Sequence, residues 1–395
     1  MIKILKKKRI YLDYASGAFV SKRVSDVLKK GYNANYANSD AIHTPGVLAK
    51  RKIDEARKNI ANCIGAHSDE IIFTSGGTES DNLAILGTLR KAKKEGKGNH
   101  VIISAVEHSA VFSLVDVLKR EGFNVDIISV DSQGSLLISD LKEMLRPETV
   151  LVSVMMVGNE TGIIYPVSLI AKTIRQYKKQ KNDVNSIYPL LHTDAIQAFQ
   201  TEKIKTDILG ADLITLSSWK IYGPIGIGML YVKRATPIEP IIWGGGQEGG
   251  LRSGTLSTTL ILGLAEAMIE TTEIRQKEKN RFLELRGFFV SLLKKEIQGV
   301  SITGEDLQTV PHIVHVQFKN VESETLLLYL DQAGISVSSK SACDSFDDSR
   351  SHAILAMNLE KDIGLIRFSF GRDTSKSDLS FVVKKIKKIL ALITS

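Results

Sequence analysis

Between about residues 50 and 235, short runs that are apolar almost throughout alternate with stretches whose apolar residues recur every three or four positions. The runs EIIFTS, HVIISAV, NVDIISV, TVLVSVMMV, YPLLHTD, ADLITLSS and IGMLYV have the length and β-branched content of strands. Because they do not alternate apolar with polar residues, both faces should be covered, as in a parallel sheet. Amphipathic segments such as ESDNLAILGTLRKAKKEG lie between several of them and supply the covering helices. A long helical pattern then runs from Ser257 to about Lys295, followed by strand patterns (HIVHVQF, LIRFSF) and helices (ETLLLYLDQA, SDLSFVVKKIKKILALI). The fold class expected is α/β: a large domain with a mostly parallel central sheet flanked by helices, plus a smaller α+β C-terminal domain. The boundaries predicted are an N-terminal segment 1–15 packing with the small domain, a large domain 16–256, and a bridging helix with the small domain over 257–395. KKQKNDVNSIYP reads as a polar surface loop.

A chain of 395 residues with 43% hydrophobic content can bury a substantial core in each of two domains. The net charge of +8 comes from lysines spread along the chain, with clusters at KILKKKR, KAKKEGK and KKIKKIL. Charge of this kind reads as solvated helix faces, and no interleaving with aromatic residues argues for nucleic-acid recognition. The two cysteines, Cys63 and Cys343, lie far apart, which excludes a disulfide framework and a CxxC metal site and points to a reducing compartment. The start, MIKILKKKRIYLDY, lacks the apolar core of a signal peptide, and no run has the length to span a bilayer. A soluble, cytoplasmic protein with no membrane partner and no metal is the expectation.

Three places on these strands carry candidate chemistry. In TSGGTESDN, Gly76 and Gly77 lie where a strand gives way to a helix, and Thr78 adds a hydroxyl. Backbone N–H groups there could converge on a phosphate, or the stretch is a tight turn with a capped helix. In HTDAIQ, Asp194 ends a strand and either points into the crevice at the sheet's carboxyl edge or caps a helix. In SSWKIYGPIGIG, Lys220 stands between an apolar strand and a Gly-Pro turn, as a snorkelling strand-end residue or as a desolvated nucleophilic amine. An amine and a carboxylate meeting over a phosphate site are what pyridoxal phosphate requires. His108 in AVEHSAV and Asn159 in MVGNETG end strands too, and each reads as a ligand of the same group or as a structural residue. GGGQEGG matches a dinucleotide fingerprint only in spacing, since LRSGT after it does not open a helix.

TSGGTESDN, EHSAV, GNETG, HTDAIQ, SSWKIYGPIGIG, GGGQEGGLRSGT, VSSKSACDS and IRFSFGR, in this order, together resemble the cysteine desulfurases of the class V aminotransferase superfamily. The resemblance implies a pyridoxal 5'-phosphate enzyme that converts L-cysteine to L-alanine and passes the sulfur, as a persulfide, to iron-sulfur cluster assembly or tRNA thiolation. It makes Lys220 the Schiff-base lysine, Asp194 the partner of the pyridine nitrogen and His108 the ring that stacks on the cofactor. Asn159 and Gln197 would contact the ring hydroxyl side and the substrate region. Gly77, Thr78 and Ser217 would hold the phosphate, and Thr255 would reach the phosphate of a neighbouring subunit, which implies a homodimer. Asn38 and Arg367 would bind substrate, the arginine by its bidentate fork. Cys343 would receive the sulfur and hand it to an acceptor protein, a cluster scaffold or a tRNA-thiolation enzyme.

The chain departs from the family pattern at Trp219, where histidine usually precedes the lysine, and at Ser39, where proline usually follows the asparagine. Indole donates one hydrogen bond and is much larger than imidazole. Lys340 before Cys343 favours a thiolate while Asp344, Asp347 and Asp348 after it oppose one. Three alternatives stay open from the residues: a selenocysteine-lyase-like lyase or transaminase, a catalytically impaired scaffold of the same fold, and, on charge alone, a nucleic-acid binder.

Overall fold

The computed structural model describes residues 9–181, 183, 186–339, 351–359 and 363–393. Its strands are β1 (Ile10–Tyr11), β2 (Ile71–Thr74), β3 (His100–Ser104), β4 (Asn124–Ile128), β5 (Thr149–Ser153), β6 (Leu190–Asp194), β7 (Leu213–Ser217), β8 (Gly228–Val232), β9 (Val300–Ile302), β10 (Ile313–Lys319), β11 (Ile335–Ser336) and β12 (Ile363–Ser369). Seven of them form one sheet in the order β2-β8-β7-β6-β5-β3-β4. Each apolar run singled out above supplies one of these seven strands.

Side chains along a strand alternate between faces, and here each face meets its own core. Ile71 and Phe73 of β2, Ile102 of β3, Ile214 and Leu216 of β7, and Met229 and Tyr231 of β8 belong to one buried cluster. Their neighbours Ile72, Val101, Ile103, Leu213, Leu230 and Val232 belong to another. A strand lined on both sides must be apolar throughout, which is the pattern these runs show.

Strand direction decides where the loops gather. The strands from β7 through β6, β5 and β3 to β4 are parallel to one another. β8 runs antiparallel to β7, and β2 antiparallel to β8. Two reversals restore the original direction, so the carboxyl end of β2 lies on the same edge as those of β3, β5, β6 and β7. Chain order reverses between β3 and β5, and the carboxyl edge beside such a switch point is where open α/β sheets bind ligands.

A smaller antiparallel sheet, β12-β10-β9, lies with helices Ser323–Gln332 and Lys376–Ile393 around a separate cluster that includes Leu12, Val314, Val316, Phe318, Ile366 and Phe368. β1 pairs with β11 in parallel, which carries the N-terminal segment to this unit. One 39-residue helix, Thr258–Glu296, starts at an N-cap made by Ser257 and enters both cores. Ile261, Leu264, Ala265, Ala267 and Met268 pack on the large sheet, while Phe282, Leu285, Phe289 and Leu293 pack in the smaller cluster. Each of the larger side chains among these, leucine, isoleucine, methionine or phenylalanine, contributes about 1.5–3 kcal/mol of transfer free energy. No helix among the described residues is long and apolar enough to cross a membrane.

Candidate active site

The loops leaving the carboxyl edge enclose one pocket lined by Ala15, Ser16, Gly77, Thr78, Asp81, His108, Asn159, Asp194, Ile196, Gln197, Ser217, Trp219, Lys220 and Arg367. Nine of the twelve candidates of the sequence analysis line it: Gly77, Thr78, His108, Asn159, Asp194, Gln197, Ser217, Lys220 and Arg367. Asn38 and Thr255 are exposed and do not line this pocket; Asn38 Oδ1 accepts from Asp40 N at 3.0 Å. Cys343, with Lys340, Asp344, Asp347 and Asp348, lies outside the described residues.

At the end of β2 the helix Gly77–Asn82 continues through a π-helical turn, Leu83–Gly87, into Thr88–Lys94. A Cβ on Gly77 would fall 2.3 Å from Ile196 Cδ1, so a side chain here would have to push Ile196 aside, and glycine leaves the backbone open to the pocket. The first-turn N–H groups of a helix have no partner within it and favour an anion. Ser217 Oγ, at the end of β7, is buried and has no hydrogen-bond partner among the described residues. An open first turn beside an orphaned hydroxyl forms a cradle for phosphate.

Asp194 ends β6, buried. Its Oδ1 accepts from Ile196 N at 2.8 Å, so both readings of this residue are realised: it caps the following turn and it lines the pocket. Burial pushes its carboxyl up to about 8, helped by the neighbouring Asp81; the Ile196 N–H, His192 and the Lys220 ammonium pull the other way. Asp81 is pushed up to about 7 and Glu107 to about 8, again chiefly by burial. His192, 3.5 Å from Asp81, is held down to about 4 by burial, so that contact is not an ion pair at neutral pH. Asp81 and Asp194, which line the pocket, are therefore carboxyl groups that burial biases towards the neutral form, and a ligand bringing a cation would let Asp194 ionise.

Lys220 sits in a single 3-10 turn, Trp219–Ile221, closed by Tyr222 at φ 65°. Its Nζ donates to Ser16 O at 2.5 Å and lies 3.8 Å from the centroid of the Trp219 ring. His108 caps the short helix Ser109–Phe112 by accepting from Ala110 N at 3.1 Å through Nδ1. In the neutral ring this leaves the proton on Nε2. Gln197 Nε2 donates to Ala15 O at 2.9 Å. Arg367, on β12, reaches the pocket from the small sheet; Nη1 donates to Asn159 O at 2.8 Å, and Nη2 to Asp13 Oδ1 at 2.9 Å and Ser16 Oγ at 2.6 Å. Its Nε has no partner among the described residues.

Ala15, Ser16, Asp81 and Ile196 also line the pocket. Asp81 could have been found, since it stands four residues after Gly77 and so shares its helix face. Nothing local marks Ser16 or Asp13, whose part depends on an arginine some 350 residues away. The lining fits pyridoxal phosphate: a cradle for the phosphate, a buried carboxyl to pair with a protonated ring nitrogen, and an amine for the aldehyde.

The Aminotransferase class-V family matches residues 10–382. The chain is 38% identical over 386 residues to the cysteine desulfurase IscS of Dictyoglomus turgidum, covering 97% of this chain and 95% of that one. Among solved structures it resembles a NifS-like protein, with a TM-score of 0.89 and 30% identity over 97% of this chain and 100% of the other. It also resembles SspA in complex with cysteine, with a TM-score of 0.77 and 30% identity over 91% of this chain and 98% of that one.

Proposed function

Because this chain belongs to the aminotransferase class-V family as one of its pyridoxal-phosphate-dependent cysteine desulfurases, we propose that the pocket at the carboxyl edge is its active site and that Cys343 carries the sulfur away. The supporting observation is the gathering of Lys220, Asp194, the Gly77–Thr78–Ser217 cradle and Arg367 around one crevice. When bound, pyridoxal phosphate supplies a ring that withdraws electrons from the substrate's Cα. Gly77, Thr78 and Ser217 would hold its phosphate, Asp194 would keep the proton on the ring nitrogen, and His108 would flank the ring. Asn159 and Gln197 orient the ring and the substrate beside it. Arg367 takes the carboxylate of L-cysteine. Lys220 Nζ would hold the aldehyde of that group and, with substrate in place, would take the Cα proton.

Cys343 Sγ then attacks the substrate sulfur. The substrate's carbon–sulfur bond breaks with its electron pair left on carbon, a sulfur–sulfur bond forms on Cys343, that carbon gains a proton, and Cα regains the proton that Lys220 took, which gives alanine. A second protein, a cluster scaffold or tRNA-thiolation enzyme, takes the outer sulfur, and a reducing cytoplasm suits a reaction that begins from a free thiol. In Cys343→Ala, alanine formation from cysteine is expected to fall by at least about 100-fold while the visible spectrum still changes on adding cysteine. Alanine formed at the unaltered rate would remove Cys343 from the reaction, and a selenocysteine-lyase-like activity would then be the better reading.

We further infer that the enzyme is a homodimer. Ile42 and Tyr36 are 97% and 81% exposed, and Trp243, on the neighbouring glycine-rich loop, is 76% exposed. Gln247 joins the two segments by donating to Asp40 Oδ2 at 2.9 Å and accepting from Gly254 N at 2.8 Å. Asn38 and Thr255 lie on these same segments, outside their own chain's pocket, where a second copy would bring them to its site. An exposed apolar patch of this kind marks an interface. Sedimentation should give about twice the 43.5 kDa chain mass, and Trp243→Glu should shift the protein towards single chains; a wild-type monomer at micromolar concentration would exclude the pairing.

A further inference from the structure

Trp219 does more than precede Lys220. The Cε3–Cζ3 edge of its indole crowds Gly17, in the turn that follows β1: a Cβ on Gly17 would stand 2.7 Å from Cζ3 and 2.8 Å from Cε3 of the ring. The backbone of Gly17 is not in the left-handed region, so an ordinary residue would suit its conformation. What excludes a side chain there is the indole alone.

The turn is pinned on the side of the lysine. Ala18 N donates to Trp219 O at 3.0 Å, and Lys220 Nζ donates to Ser16 O at 2.5 Å while resting over the indole. From its other side the turn holds the substrate arginine. Ser16 Oγ donates to Asp13 Oδ1 at 2.9 Å, and both atoms accept from Arg367 Nη2. With Nη1 engaged by Asn159 O, the direction in which the guanidinium presents its remaining donors depends on where Ser16 and Asp13 stand.

We propose that Trp219 and Gly17 form a matched pair that sets the position of the 13–18 turn and through it aims Arg367 at the substrate carboxylate. Trp219 is thus a positioning residue for substrate binding, acting at one remove, and Gly17 is glycine because the indole occupies the place of its side chain. The link to substrate rests on the reading of Arg367 given above.

Gly17→Ala forces the indole and the turn apart, and a displacement of a few tenths of an ångström in Ser16 tilts the guanidinium. In the wild-type background Gly17→Ala is expected to raise KM for L-cysteine about tenfold, with kcat changed less than about threefold. In the Trp219→His background, where the ring lacks the two carbons that crowd residue 17, the same change should raise KM less than about twofold. Melting of the cofactor-free proteins gives the second readout: Gly17→Ala should lower Tm by about 2–4 °C with Trp219 present and by less than about 1 °C in the Trp219→His background. A Gly17→Ala protein that folds only when combined with Trp219→His supports the pairing equally. Equal penalties in both backgrounds, or none in either, overturn it. The melting comparison uses no cofactor and no substrate, so a failed pairing is distinguishable from a wrong reading of the reaction; coupled melting with uncoupled KM would overturn the link to Arg367.

Discussion

Lys220→Ala is expected to lower L-cysteine turnover by at least about 10⁴-fold, because two tasks fall to one nitrogen. In the proposed reaction the amine would hold the cofactor's aldehyde and would also be the base for the Cα proton. Its surroundings restrict where it can be: the 3-10 turn fixes its backbone, Ser16 O receives its N–H, and the indole covers one side. The fold should tolerate the loss, since the side chain is half-buried, and its hydrogen bond to Ser16 O and its contact with the Trp219 ring contribute together about 1–3 kcal/mol. Borohydride treatment of the loaded wild-type protein should label position 220, and Lys220→Ala should take up none. A label elsewhere, with turnover kept in the alanine variant, would move the chemistry to another amine. Lys220→Arg separates charge from function: it retains a cation over Trp219 but offers no nitrogen that can release its proton, and should be as inactive as alanine.

Asp194→Asn should have opposite effects on activity and on the stability of the cofactor-free protein. The carboxyl is held near 8 in the fold by burial and by Asp81, whereas in the unfolded chain it ionises near the usual carboxylate range. A group whose folded value is raised stabilises the fold only while it is neutral, so its contribution is fully present at acid pH and is lost as pH rises towards about 8. Asparagine keeps the oxygen that accepts from Ile196 N and has nothing to ionise. The cofactor-free variant should therefore melt higher than wild type at pH 8–9, with the gap closing towards pH 4. Turnover should move the other way, by about 10²–10³-fold, because a neutral amide cannot keep a ring nitrogen protonated. Loading of the wild type should weaken as pH rises through about 8, since below that value Asp194 brings its own proton to the ring nitrogen; the asparagine variant should not show this dependence. Melting curves across pH 4–9 and cofactor titrations over the same range check both signs. A variant less stable than wild type at pH 9 would mean that Asp194 is ionised in the fold and paired with a cation.

The periodicities in the chain resolved the strands and the long helices because the sheet buries both faces and each helix only one. The long helix Thr258–Glu296 was legible from its pattern almost to the residue. The antiparallel β8, which brings the end of β2 to the working edge, was not, since IGMLYV reads as apolar whichever way it runs. Nor was the π turn inside LAILG, whose apolar spacing is that of an ordinary helix. In the site, Lys220, Asp194 and the glycines of TSGGT lay at strand ends, where sequence signals are local and strong. Gly17 and Trp219 are about 200 residues apart, and the fit of an indole to a missing side chain leaves no trace in spacing. Ser16 and Asp13 were hidden for the same reason: their partner is on another sheet.

The helix that serves two cores ties their fates together. Thr271 and Arg275, both buried, lie along its passage from one to the other, with Arg275 Nε donating to Phe199 O of the large unit at 3.1 Å. A hinge of the usual kind would need a break there, and the rod has none: its backbone ladder runs unbroken over some 58 Å. Arg367 and Lys220 thus stand on two frames bolted to a common spar, and any rocking that brings them closer must be paid out as a gentle bow of the whole beam.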